Sequence, residues 1–335
     1  MTSEAVPPRA AEPPWEVLYI AGWGRSGSTL LTALLGEHPR VFGAGEIRSL
    51  WKRGALDRRR CGCGRPVPDC PVWRPVLEQV ATGPMTASSL AALQHDRLRS
   101  RHYPVAVARA LAGRPTDGDV DRYAETYRRA YEAGAEVTGA RVIVDSSKYP
   151  LDAYFLARAG IPMRVIHLVR NPRAVAGSWA RPKALLDAEE GADDHLRRFS
   201  PMASSSIWTL WNTTVQLLLT PQVGSENAMT VRFEDFLGNP AQTIRSIDSF
   251  AGLEPSEPAV NGRKAALGEN HLVAGNSDRF RQGSVTIDGR RHASTLSAGA
   301  ALAATIPALP LLRRFGYPLR PMTDGSGRRS SEPKR

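Results

Sequence analysis

"YIAGWGRSGSTLL", Tyr19 to Leu31, decides how this chain is read. From Gly22 it runs G-W-G-R-S-G-S-T, the spacing of a phosphate-binding loop, G-x-x-x-x-G-K-[ST], with one substitution. Ser28 stands at the lysine position, and a basic residue comes three places earlier, at Arg25. The preceding "VLYIAG" has the apolar run of a buried strand, and "STLLTALLGEH" reads as the helix that follows the loop. Backbone N–H groups of such a turn, with the helix dipole behind them, bind phosphate whatever the side chains do. Ser26, Ser28 and Thr29 add hydroxyl donors around Gly27. In a nucleoside triphosphatase the loop lysine neutralises the β- and γ-phosphates, and a Ser or Thr holds magnesium. Here that lysine is missing. The strand "VIVD", which could carry a magnesium-holding aspartate, ends in Asp145 and is followed by a lysine, Lys148.

Outward from the loop, "RVFGAGE", "RVIVDSSK", "MRVIHLVR" and "AMTVRFEDF" read as further strands. Helical patterns cover 86–99, 121–138, the stretch from Pro150, "NPRAVAGSW" with Pro172 in its first turn, the region around 204–219, and "NPAQTIRSIDSFAGL". Strands alternating with helices predict a P-loop-like α/β three-layer sandwich, a central parallel sheet flanked by helices. Ligands in such sheets bind at the carboxyl ends of the strands. The Gly22–Thr29 loop, Glu46, the 145–148 segment and Arg170 each follow a strand, so they are expected to converge on one edge. Residues 15–319 form a single domain on this reading, with disordered tails at 1–14 and 320–335. Within it, 50–140 is a helical, cysteine-containing insertion, and the polar stretch 181–203, "RPKALLDAEEGADDHLRRFSPMA", is a candidate lid over whatever ligand binds at this edge.

The formal net charge of +11 favours anionic partners, although basic residues in the C-terminal tail account for part of it. No basic motif with interleaved aromatics marks a nucleic-acid module, and no nucleic-acid partner is expected. The N-terminus lacks a charged head followed by an apolar block, and the apolar stretch Leu296–Leu312 is broken by Pro307 and Pro310. A cytoplasmic protein with no membrane span is the expectation. Cys61, Cys63 and Cys70 in "CGCGRPVPDCPVW" are an odd count, which makes no disulfide framework. A metal site wants a fourth ligand, and none lies at a recognisable spacing, so no metal ligands are assigned. His167 alternates within a buried strand as a satisfied core residue, and His271 lies a few residues before "RFRQG", Arg279 to Gly283. Trp179, Trp208 and Trp211 are candidates for an apolar acceptor pocket, with at least one of them packed in the core.

A second phosphate grip lies in "LVRNPRAVAGS". Arg170 ends a strand, Asn171-Pro172 opens a helix, and Ser178 follows eight residues after the arginine. That is about 12 Å along a helix at about 1.5 Å per residue, a spacing that lets an arginine and a hydroxyl serve one phosphate. Taken together, the two motifs make the sequence resemble the PAPS-dependent sulfotransferases. "GWGRSGSTLL" is similar to their 5′-phosphosulfate loop, in which a basic residue precedes S-G-[ST]-[ST]. "LVRNPRAVAGS" is similar to their 3′-phosphate motif. The resemblance covers roughly residues 16–255, more loosely over 50–140. It implies PAPS as co-substrate, 3′,5′-ADP as product, and no requirement for metal. "LLGEHPRVFGAGEIRSLW" resembles the segment after the loop in tyrosylprotein sulfotransferases, where a Gly-Glu pair supplies the catalytic glutamate. "VDSSKYP" stands where cytosolic sulfotransferases carry their catalytic histidine. "RFRQG" is similar to the late donor-binding segment, with glutamine in place of its lysine.

These likenesses imply a site of named parts. Glu46 is the base, Arg25 faces the sulfate and leaving phosphate, and Lys148 is a second electrophilic stabiliser. Arg25, Ser26, Gly27, Ser28, Thr29, Arg170, Ser178, Arg281 and Gly283 bind the donor. The acceptor is a hydroxyl of a small molecule, lipid or glycan. Lys148 as base in place of Glu46 stays open, and Arg48 and Lys52 have no assigned part. Two other readings compete: a nucleotide-dependent kinase with a degenerate loop, and a non-catalytic homologue that binds 3′,5′-ADP.

Overall fold

The computed structural model describes residues 14–115, 117–182, 197–256, 259–287 and 296–320. Residues 1–13 and 321–335, which hold the two expected tails, and 183–196 of the expected lid lie outside the described residues. Five strands build the main sheet: β1 (Glu16–Ala21), β2 (Val41–Gly45), β3 (Val142–Lys148), β4 (Met163–Val169) and β5 (Ala228–Arg232). They are all parallel and lie in the order β2-β3-β1-β4-β5. This is the three-layer α/β sandwich that the strand–helix alternation predicts, with each expected strand in its place.

The apolar runs explain the layering. A strand covered on both faces is apolar throughout, and successive side chains enter opposite layers. In β1, Val17 and Tyr19 belong to one core and Leu18 and Ile20 to the other. In β4, Val165 and Val169 face the first core and Ile166 and Leu168 the second. Each fully buried aliphatic side chain of this kind contributes about 1.5–3 kcal/mol. His167 sits among them as the sequence suggests. Its Nε2 is 2.7 Å from Asn212 Oδ1, and burial pushes its pKa down to about 4, so it is a neutral core residue.

Residues 50–140 supply helices Trp73–Ala81, Ala87–Arg97, Tyr103–Leu111 and Gly118–Thr138, with the cysteine turn between residues 61 and 70. The insertion is anchored near the site by a buried network. The Arg48 guanidinium pairs with the Asp152 carboxylate and lies over the Tyr149 ring at 3.9 Å. Tyr123 Oη donates to the same carboxylate at 3.0 Å. Arg48, which carries no assigned part on sequence grounds, is therefore a structural residue. Lys52 is largely exposed.

A small antiparallel sheet was not legible in the sequence. It comprises β6 (Val260–Asn261), β7 (Lys264–Leu267) and β8 (Gly283–Thr286). Strands of two and four residues are too short to show an alternating pattern. Leu296–Leu312 forms the helix Ala298–Leu312, which packs on helix Pro201–Thr214 despite its two internal prolines. No helix among the described residues is long and apolar enough to cross a membrane.

Candidate active site

The sheet order fixes where a ligand can sit. From β1 the chain passes to β2 and β3 on one side, and then to β4 and β5 on the other. The connections therefore diverge between β1 and β4, which opens a crevice at the carboxyl ends of those two strands. The Gly-rich loop leaves β1 there, and Arg170 leaves β4.

Two glycines shape the loop. Gly22 has φ of 143°, and a Cβ on it would lie 2.4 Å from the Leu168 carbonyl oxygen. Gly27 has φ of 89°, and a Cβ there would meet the Phe233 ring at 2.0 Å. Only glycine lets the backbone pass this close and turn this way. Helix Ser28–Leu35 then begins with no side-chain cap and no acidic residue in its first turn. Its first backbone N–H groups are therefore left for an anion. The helices starting at Ala87, Gly118, Pro172, Pro201, Pro240 and Ala298 are capped by Thr86, Asp117, Asn171, Ser200, Asn239 and Ser297, while those starting at Trp73, Tyr103, Pro150 and Phe233 share the uncapped start.

The two phosphate motifs meet here across 153 residues of sequence. Arg25 Nε donates to Ser178 Oγ at 3.1 Å, and Arg170 Nη1 donates to the Arg25 carbonyl at 2.7 Å. Arg25 is itself in the left-handed region, φ 70°, a conformation that a non-glycine residue holds only when its surroundings enforce it. Arg170 is 4% exposed, lies over the Phe233 ring at 4.9 Å, and has its own carbonyl held by Trp208 Nε1 at 3.0 Å. Burial pushes its pKa down to about 10, with the Arg25 and Arg181 charges adding to the push. Arg25 is depressed in the same way, first by burial and then by Arg181. The three guanidiniums thus act against one another here, with Glu234 offsetting the push at Arg170 and Asp278 and Glu46 offsetting it at Arg25, and an anionic ligand would add to that relief. The second arginine of the motif, Arg173, has another task. It donates to Thr305 Oγ1 and to the carbonyls of Pro318 and Leu319, which ties down the C-terminal segment.

Glu46 and Lys148 form the other half of the site. Glu46 follows β2, and Lys148 is the last residue of β3, next to the start of the Gly-rich loop, where its carbonyl accepts from Gly22 N at 3.2 Å. Lys148 Nζ is 2.5 Å from Glu46 Oε1 and 2.8 Å from the Ser146 carbonyl. Lys148 also has positive φ, 76°. The Glu46 charge acts on Arg25, so Glu46, Lys148 and Arg25 share one electrostatic neighbourhood. Behind them, Asp145 is fully buried. Its carboxylate accepts from Ser147 N at 2.8 Å and Tyr131 Oη at 2.7 Å, and burial pushes its pKa up to about 6.

Segment 271–281 closes one side. Gly45 bridges Val273, Glu46 N donates to the Val273 carbonyl at 2.8 Å, and Asn276 N donates to Thr29 Oγ1 at 3.1 Å. Of the "RFRQG" stretch, the buried arginine is Arg279. Its guanidinium donates to the Gly275 and Arg60 carbonyls. Arg281 is exposed and paired with Asp278 at 3.2 Å, and Gly283 opens β8 at the surface. Trp208 and Trp211 are core residues, each 1% exposed, whereas Trp179 is only partly buried. Trp179 stacks on Trp23 at 5.3 Å and donates from Nε1 to the Gly24 carbonyl, so of the three tryptophans it borders the loop most directly. Trp23, Gly275 and Asn276 were missed because their roles come from tertiary contacts with no sequence signature.

The sulfotransferase domain family model matches residues 128–265. That span includes Lys148, Arg170 and Ser178 but ends short of the Gly-rich loop on one side and segment 271–281 on the other. No curated protein sequence matches the chain. Among solved structures, the sulfotransferase domain of the curacin biosynthetic pathway is 17% identical, covers 93% of this chain and 100% of its own, and has a TM-score of 0.51. The sulfotransferase domain of the Synechococcus PCC 7002 olefin synthase is 22% identical, covers 92% and 97%, and has a TM-score of 0.47. A sulfotransferase of Mycobacterium avium is 13% identical, covers 93% and 79%, and has a TM-score of 0.48. In its 128–265 sequence and in its fold, the chain resembles the sulfotransferase family.

Proposed function

We propose that this chain transfers the sulfuryl group of PAPS to a hydroxyl acceptor and releases 3′,5′-ADP. The observation that carries the reading is the meeting of the two motifs, Arg25 with Ser178 and Arg170 with the Arg25 carbonyl. Such a junction suits a ligand with two separate phosphate groups. The uncapped helix start and the glycine-walled loop would hold the 5′-phosphosulfate, with Ser26, Gly27, Ser28 and Thr29. Arg170 and Ser178 would hold the 3′-phosphate. Arg279, being buried beside Gly275, supports the late segment, and any part Arg281 and Gly283 take in donor binding comes from the surface.

In the reaction, Glu46 takes the proton of the acceptor hydroxyl, and the acceptor oxygen attacks sulfur in line with the bond to the 5′-phosphate. That S–O bond breaks, and its electron pair leaves with the phosphate. Arg25 and Lys148 stabilise the charge that builds on the transferring group and the leaving oxygen. The chemistry of the residues asks for no metal in this step. A small-molecule, lipid or glycan hydroxyl in the cytoplasm is the acceptor class we assign, with Trp179 as an apolar wall. The kinase reading is disfavoured by Ser28 at the lysine position and by Asp145, whose carboxylate is buried and already accepts from Ser147 and Tyr131.

Arg170→Ala and Ser178→Ala are expected to weaken 3′,5′-ADP binding by about 1.5–3 kcal/mol each, the usual worth of a charge-assisted hydrogen bond. Calorimetric titration with 3′,5′-ADP and with 5′-AMP checks this. The loss should be much smaller for 5′-AMP, which lacks the 3′-phosphate. Equal losses for both ligands would mean that these residues do not grip the 3′-phosphate.

A further inference from the structure

The cysteine turn lacks a fourth ligand in sequence but not in space. His271, 201 residues beyond Cys70, brings Nδ1 to 3.2 Å from Cys70 Sγ and 3.9 Å from Cys61 Sγ. Cys70 Sγ is 3.7 Å from Cys61 Sγ and 3.8 Å from Cys63 Sγ. The four ligand atoms all lie within 4.8 Å of one another. Zinc bonds of about 2.3 Å to sulfur and about 2.0–2.1 Å to nitrogen, at tetrahedral angles, put sulfurs about 3.8 Å apart and sulfur and nitrogen about 3.5 Å apart. The two sulfur–nitrogen distances fall on either side of the second value, and the two sulfur–sulfur distances lie at the first. They are far too long for a disulfide, which needs about 2.05 Å.

The backbone around the cluster is arranged for thiolates. The turn is closed by Cys61 N to the Arg65 carbonyl at 2.8 Å and Gly64 N to the Cys61 carbonyl at 2.9 Å. Backbone N–H groups then point at sulfur: Cys63 at Cys61, Arg65 at Cys63, and Val72 and Trp73 at Cys70. The far ring nitrogen of His271, Nε2, faces Glu269 at 3.8 Å, which leaves Nδ1 to the thiols. Trp73 Nε1 fixes the His271 carbonyl at 2.6 Å. Three thiolates and an imidazole in a tetrahedron suit zinc above harder cations.

We propose that Cys61, Cys63, Cys70 and His271 form a zinc site that staples the cysteine turn to segment 271–276. Binding of Zn²⁺ displaces the thiol protons to solvent and leaves no open coordination position, so the ion is structural. Its effect reaches the candidate active site through the backbone. Val273, two residues after the ligand, holds Glu46 N, and Asn276 holds Thr29. Gly62, between two of the cysteines, donates to the Leu272 carbonyl at 3.1 Å. The site itself does not depend on the sulfotransferase reading.

The test is the metal content of reduced, full-length protein, by elemental analysis and native mass spectrometry, after reconstitution with zinc. One tightly held zinc per chain is expected. Cobalt substitution should give the thiolate-to-cobalt charge-transfer bands and intense ligand-field bands of a tetrahedral site. His271→Ala and Cys70→Ser should lose the metal, and His271→Cys should keep it. Hydrogen exchange on the wild type with and without chelator then reads the staple: amides of Val273 and Asn276 should exchange faster without zinc, and those of β4 should not. Substoichiometric zinc in folded wild type, a brown protein with acid-labile sulfide, or a cysteine disulfide would overturn the site. Bound zinc with unchanged exchange at 271–276 would overturn the staple.

Discussion

Glu46→Gln is expected to bind 3′,5′-ADP nearly as the wild type does and to turn over about 10²–10⁴-fold more slowly, the usual cost of losing a general base. Glutamine keeps the shape of the side chain and removes only the ability to take a proton. The placement supports the assignment. Glu46 is positioned by its own backbone N–H on Val273, it meets Lys148 at 2.5 Å, and its charge is felt at Arg25. Lys148→Ala should also slow turnover, by removing positive charge from the transferring group. The measurement is single-turnover rate against pH with a competent acceptor. Wild-type turnover in Glu46→Gln with a dead Lys148→Ala would pass the base role to Lys148. Lys52→Ala, exposed on the same segment, is the control and should change neither rate nor binding.

Arg48→Ala should destabilise the fold by about 3–5 kcal/mol, the cost of leaving one member of a buried ion pair without the other. The side chains are 10% and 2% exposed, and Asp152 would keep the Tyr123 hydroxyl and its own backbone N–H but no cation. Burial already pushes the Asp152 carboxyl above its ordinary value, with Arg48 opposing that push. Without the guanidinium the push loses its main opposition and meets the weaker influence of the Tyr123 hydroxyl and the Asp152 backbone N–H. Between the ordinary carboxylate value of about 3.9 and its own raised value, the variant's folded state then holds a proton that its unfolded state has released. Its deficit should therefore grow as pH rises from about 4 towards neutrality and shrink on acidification. Denaturant unfolding at several pH values checks both points, and the Arg48→Ala, Asp152→Ala double variant should recover part of the loss. A deficit under about 1 kcal/mol that is flat with pH would show that the pair is solvated.

The main sheet was legible because its signal is local. Val17–Ala21 is apolar at every position because both faces are covered, and Met163–Val169 is apolar apart from the partly buried Arg164 and the neutral core residue His167. The Gly-rich loop was legible because its glycines answer to φ and close approach, and Arg170 and Ser178 stood out as an arginine at a strand end and a hydroxyl in the helix that follows. What could not be read was whatever depends on distant chain meeting the site. Segment 271–276 reaches Glu46 and Thr29 through backbone hydrogen bonds, which any sequence can make. His271 completes a cysteine cluster from 201 residues away, beyond any spacing rule. Arg48 looked like a spare basic residue because its partner, Asp152, is 104 residues on.

The most direct test of the account is a thermal-shift titration of the wild type with 3′,5′-ADP in the absence of magnesium, set against ATP with magnesium. A ligand bound only by the folded state raises the melting temperature with its concentration, following RT ln(1 + [L]/Kd). The account predicts a saturable shift with 3′,5′-ADP that is unaffected by chelator, and little or none with magnesium-ATP. A larger, magnesium-dependent shift with ATP would contradict it and return the loop to the triphosphate chemistry its glycine spacing first suggests.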